Sequence, residues 1–145
     1  MTRIDFYVLG SSDPAARLAL VCRLAEKASG LGAGVFVHGD DRALLEELDE
    51  RLWTFRASSF VPHRLVESDE PAARVDSDPV QLSTGAPGPD RRVLINLADR
   101  VPPFFARFER ALEVVDQSEP VRELGRERYR FYRRRGYPLG HHELD

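Results

Sequence analysis

Three switches of hydrophobic period in the first 54 residues constrain the fold more than anything else in the chain. In "RIDFYVL" (3–9), Ile4, Phe6 and Val8 alternate with the period of a strand. "SSDPAARLALVCRLAEKASG" follows, with Leu18, Val21, Cys22 and Ala25 at i, i+3, i+4 and i+7, one apolar stripe of a helix. Ser12 or Asp13 can cap that helix, Pro14 suits its first turn and Gly30 its end. "AGVFVHG" (33–39) reads as a second strand. "DDRALLEELDERLW" reads as a second helix, capped near Asp40 or Asp41, with Leu44, Leu48 and Leu52 four residues apart. The order strand, helix, strand, helix implies a right-handed crossover and a parallel pair.

The rest of the chain extends the pattern. "SFVPHRLV" (59–66), "PVQLS" (79–83) and "RVLINL" (92–97) supply short strands, and the run Val93-Leu94-Ile95 fits a strand buried on both faces. "ESDEPAARVDSD" and "TGAPGPD" are polar loops rich in proline or glycine. "PPFFARFERALEVVD" and "SEPVRELGRERYRFYRRRG" read as two closing helices, with His141 and His142 in a frayed tail. At 145 residues the expected unit is one α/β domain over 1–145, a short, mostly parallel sheet with helices on both faces. No apolar run approaches the ~20 residues of a membrane span. The N-terminal stretch lacks a signal peptide's apolar core, so a cytoplasmic protein without membrane contact is expected.

Such folds often bind nucleotides, yet "VLGSSDPAARL" has one glycine where a dinucleotide fingerprint needs three. No Gly-Lys-Ser/Thr exists, and the one lysine, Lys27, lies mid-helix. His38 with Asp40 and Asp41 could line the end of a strand, but a loop histidine beside a helix cap explains them more simply. The single cysteine, Cys22, sits on an apolar stripe and reads as a core residue. The pattern therefore points to no catalytic residues, no metal and no cofactor.

Two segments stand out instead. Net charge is −3, yet residues 122–135 carry seven arginines against two glutamates, so this segment is +5 and the remainder −8. At 100° per residue, Val121, Leu124, Phe131 and Tyr132 gather on one side, expected to face the sheet. Arg122, Arg126, Arg130 and Arg133, with Tyr129, fall on roughly the opposite side. Arg133, Arg134 and Arg135 complement the helix dipole in the last turn, whereas Arg122 and Arg126 have no such compensation. That face suits an acidic peptide or, alternatively, direct binding of single-stranded nucleic acid. In "LWTFRASSFVPH" (52–63), Trp53, Phe55 and Phe60 crowd beside polar residues. They either plug the core or form an exposed anchor for a partner.

The segments "DFYVL", "LDERLWTFRASSFVPH", "VLINL" and "RERYRFYRRRGYPL", in that order, resemble the chi subunit of bacterial DNA polymerase III holoenzyme nearly end to end. The resemblance implies a Rossmann-like fold and a non-enzymatic accessory protein of DNA replication. It implies partners too: the acidic C-terminal tail of single-stranded DNA-binding protein (SSB), ending in Pro-Phe, and the clamp-loader complex through psi or an equivalent component. A helicase would be a further partner, and DNA would be met only indirectly. Carried over by motif, Arg126 of "RERY" would fork the tail's terminal carboxylate and Arg122 and Arg130 would steer its aspartates. Tyr129 would line the notch for the final Phe, and Arg133 would extend the basic strip. The psi surface would be Trp53, Phe55 and Phe60.

Overall fold

A computed structural model of the protein describes residues 1–54, 61–67 and 78–144. Phe55 and Phe60 lie outside them. Among the described residues one seven-stranded sheet runs in the order β3-β4-β2-β5-β6-β1-β7 with every pair parallel. The strands are β1 (Arg3–Leu9), β2 (Val35–His38), β3 (His63–Leu65), β4 (Val80–Ser83), β5 (Val93–Asn96), β6 (Arg110–Val115) and β7 (Leu139–Leu144). The helices are α1 (Pro14–Gly30), α2 (Arg42–Thr54) and α3 (Val121–Arg134). The α/β reading of the sequence therefore holds, with a sheet more uniformly parallel than expected.

Chain direction explains the layering. The steps β1 to β2 and β2 to β3 move toward the β3 edge, whereas β5 to β6 and β6 to β7 move the other way. Right-handed crossovers that travel in opposite directions must use opposite faces. Accordingly α1 and α2 pack with Leu9, Val35, Val37, Ile95, Leu112 and Val114 on one face. Tyr132 of α3 packs with Ile4, Phe6, Phe36, Leu94, Ala111 and Val115 on the other. The alternation of Phe36 against Val35 and Val37 is the period-2 pleat made visible.

Several local readings are met. Asp13 caps α1, accepting from Ala15 N at 3.0 Å, with Pro14 opening the helix. The stripe Leu18, Val21, Cys22 and Ala25 is buried, and burial pushes the Cys22 thiol up to about 11. Asp41 caps the start of α2 through Ala43 N at 2.9 Å. His38 ends β2 buried against Phe104, Asp40 accepts from Asp99 N, and the three side chains do not converge.

Other readings need correction. β1 and β2 are parallel but not paired, because β5 and β6 insert between them. In α2 the buried stripe is Leu45, Leu48 and Leu52, with Leu44 only half-buried. The helix expected over 102–116 is instead a 3-10 turn at Phe105–Arg107 followed by β6. "RALEVV" is rich in helix formers, but burial on both faces and the β-branched Val114 and Val115 override that preference.

The expected tail is β7, paired with β1 over Ile4↔Leu139 to Leu9↔Leu144. Gly140 makes this pairing possible: a Cβ there would lie 2.1 Å from Asp5 Oδ1. The Asp5 carboxylate is buried and bridges the strands, accepting from Arg110 Nη2 at 2.9 Å, with His142 Nε2 at 3.2 Å. Burial alone would raise its pKa, but hydrogen bonds from Arg110 and His142 and the charges of Arg110 and Arg3 outweigh it, giving a net lowering. A carboxylate depressed in the folded state stabilises above its unfolded pKa, about 3.9, and loses that contribution as pH falls through the folded value. Asp5→Asn should therefore be less stable than the parent at pH 7. In denaturation curves the difference should shrink progressively below about pH 4.

Candidate functional site

The position of α3 is set from beneath by Glu113. This β6 carboxylate is fully buried and accepts from Arg128 Nε at 2.9 Å, Tyr132 Oη at 2.9 Å and Asn96 Nδ2 at 3.0 Å. Arg128 Nη1 also donates to the Asp99 carbonyl at 2.9 Å. Burial and the Glu113 charge push the Tyr132 phenol far up, so it stays a donor. One of the seven arginines of the segment is thus an internal strut.

This network rotates the helix relative to the face read from the sequence. The residues turned to the sheet are Gly125, Arg128 and Tyr132, whereas Leu124 and Phe131 sit half-buried on one flank. Gly125 explains itself here: a Cβ would meet Val115 Cγ2 at 2.9 Å. Close approach outweighs the ~1 kcal/mol of helix propensity that glycine forgoes. Ser118 does not cap α3 through its side chain; its carbonyl accepts from Arg122 N at 2.9 Å, and its N–H donates to Asp116 Oδ1.

On the other flank a hollow of about 350 Å³ opens between α3, β1 and β7. Phe6, Val8 and Val115 supply apolar lining, Arg122, Arg126 and Tyr129 come from α3, and His141 comes from β7. Tyr129 is half-buried, edge-to-face on Phe6 with ring centroids 5.2 Å apart. Arg126 reaches Glu123 at 3.8 Å, both side chains about half exposed. An exposed pair of this kind holds only about 0–1 kcal/mol, so Arg126 is readily recruited elsewhere.

Of the five residues expected at the tail site, Arg122, Arg126 and Tyr129 therefore share one hollow. Arg130 and Arg133 lie exposed along the ridge of α3, outside its lining. His141, Phe6, Val8 and Val115 were not foreseen. The alternation of Ile4, Phe6 and Val8 already placed two of them on one face, but nothing local paired β7 with β1. The arrangement can grip a carboxylate with guanidinium groups while an apolar side chain enters beside it.

Trp53 lies near the end of α2, 55% exposed, with its ring edge-to-face to His63 at 4.9 Å. Trp53 is thus a surface aromatic, not a core plug. It is the sole tryptophan of the chain, so emission should be open to acrylamide quenching in the free protein. A partner that covers α2 is expected to blue-shift and protect that emission.

At the N-terminus of α1, where a phosphate would sit in a nucleotide-binding relative of this fold, the Asp13 carboxylate accepts from the Ala15 amide. Among the described residues no group of three or more His, Cys, Asp or Glu could hold a metal ion, and no helix is long and apolar enough to cross a membrane.

Residues 1–140 match the family model described as DNA polymerase III chi subunit, HolC. The chain is 48% identical over 145 residues to DNA polymerase III subunit chi of Pseudomonas aeruginosa, covering 99% of this chain and 98% of that protein. It is 32% identical over 137 residues to the Haemophilus influenzae subunit chi, covering 93% and 92%. It is 31% identical over 145 residues to that of Escherichia coli, covering 96% of each. The family model runs from β1 to the start of β7, the relatives match nearly end to end, and the chain belongs to the DNA polymerase III chi subunit family of bacterial replication accessory proteins.

Proposed function

We propose that this chain is a non-catalytic adaptor that binds the acidic C-terminal tail of SSB in the hollow beside α3 and links it to the clamp loader. The observation that carries the reading is the juxtaposition of Arg122, Arg126 and Tyr129 with the apolar Phe6, Val8 and Val115 around one cavity. Arg126 forks the terminal carboxylate, Tyr129 lines the slot for the final Phe, and Arg122 takes an upstream aspartate. Arg130 and Arg133, exposed on the ridge, steer the tail by charge. Charge-assisted bonds of about 1.5–3 kcal/mol each, two or three of them plus one buried ring, sum to roughly micromolar affinity after ordering costs.

Calorimetric titration with an acidic peptide ending in Pro-Phe tests this. Binding should weaken as salt rises, and removing the terminal Phe or amidating the carboxylate should remove most of it. Equal binding by the peptide without its Phe would sink the proposal. Binding of an oligonucleotide without SSB, with a steep salt slope, would favour direct nucleic-acid contact instead. Against that alternative stands Tyr129, whose packing on Phe6 leaves it poorly placed as a stacking platform.

Trp53, with Phe55 and Phe60 beyond the described residues, forms the proposed dock for psi or an equivalent clamp-loader component. An exposed tryptophan on a helix end has the character of an interface anchor.

A further inference from the structure

We propose that the opposite flank of α3 carries a second peptide site, which takes an internal acidic segment bearing an apolar side chain. A hollow of about 480 Å³ opens there between α3 and the chain that leaves β5. Its apolar lining includes Val101, Phe105 and Phe131. Arg100 and Arg135 stand exposed at its rim, and neither is ion-paired among the described residues. Arg135 holds its guanidinium 4.7 Å from the centre of the Phe131 ring, so charge and aromatic surface are presented together.

An independent observation points to an acceptor. Arg128 also lines this hollow and is only 4% exposed. Its Nε serves Glu113 and its Nη1 serves Asp99, but its Nη2 is buried with no partner. A buried donor without an acceptor is unfavourable, and a ligand carboxylate entering here would supply one.

The surroundings select the ligand class. Asp99 and Glu127 lie on the same rim, so the site balances a lone carboxylate but repels a string of phosphates. The apolar lining favours a ligand with an apolar side chain next to its acid. No free chain end is required, which separates this site from the terminal-carboxylate hollow on the other flank.

The probe is the peptide Gly-Asp-Phe-Gly with both ends blocked, so that it carries one carboxylate beside one apolar ring, titrated into isotope-labelled full-length protein and followed through backbone amide shifts. Expected are shifts at Arg100, Val101, Arg128 and Phe131, with saturation in the millimolar range. The double variant Arg100→Gln/Arg135→Gln should weaken binding by at least about tenfold, the scale of one charge-assisted contact. Arg126→Ala, which disables the first hollow, should leave these shifts unchanged, so the two sites fail separately. The proposal is overturned if the shifts fall only around Tyr129 and His141, or if none appear. It is equally overturned if a Gly-Asn-Phe-Gly control, blocked in the same way, binds as well. A thymidine oligonucleotide that moves these amides when the peptide does not would reassign the hollow to nucleic acid.

Discussion

Glu113→Ala is expected to lower the unfolding free energy by about 3–5 kcal/mol, because it strands the buried Arg128 charge without its counter-ion. A domain of ordinary size holds about 5–15 kcal/mol in total, so the variant should unfold at clearly lower denaturant. The loss is not the worth of the ion pair. It combines a cavity with uncompensated donors on Arg128, Tyr132 and Asn96. Replacing both partners by apolar residues, as in Glu113→Leu with Arg128→Met, should recover much of it, since two desolvated charges are removed together. Urea denaturation of the three proteins checks the prediction. A loss below about 1 kcal/mol for Glu113→Ala would show that α3 is held by its apolar contacts alone. Because Gly125, Arg126 and Tyr129 ride on the same helix, tail binding should fall with the single variant and return with the double one.

Arg126→Ala should weaken binding of the acidic tail peptide by about 10–150-fold, the equivalent of about 1.5–3 kcal/mol for a bidentate contact to a carboxylate. Stability should hardly change, since Arg126 is exposed and its pair with Glu123 spans 3.8 Å. Arg126→Lys should restore only part of the affinity, because an ammonium cannot present the two parallel donors of a guanidinium. Arg130→Ala makes a useful contrast. Its side chain lies outside the hollow, so the effect should be smaller, concentrated in the association rate and largely lost at high salt. If Arg126→Ala and Arg130→Ala weakened binding equally and only at low salt, diffuse attraction to α3 would replace the carboxylate fork.

The arginine segment shows how far each level of description reaches. Its helical period and its excess charge are properties of a dozen consecutive residues, so both could be read in advance. Which residues faced inward could not. A hydrophobic wheel assigns burial by polarity, and it turned Leu124 and Phe131 toward the sheet. It had no way to bury Arg128, whose partner Glu113 sits on a strand that itself resembled a helix. The same limitation hid the hollow, whose walls come from β1, β6, β7 and α3 and include residues as far apart in the chain as Phe6 and His141.

What the amino-acid order determined alone were the features set by neighbours within a few residues. The stripe from Leu18 to Ala25, the Asp13 cap with Pro14 behind it, the doubly buried Val93-Leu94-Ile95 and the clustering of guanidinium groups all belong to that class. Tertiary structure decided everything that depended on a distant partner: β6 as a strand, β7 as an edge beside β1, the strand order, the roll of α3 and the exposure of Trp53. The physical reason is the range of the forces. Backbone propensity and side-chain period act over one or two turns. Burial of a charge or a strand is worth its cost only once a complementary group arrives from elsewhere in the chain, as Arg128 does for Glu113 and Arg110 for Asp5.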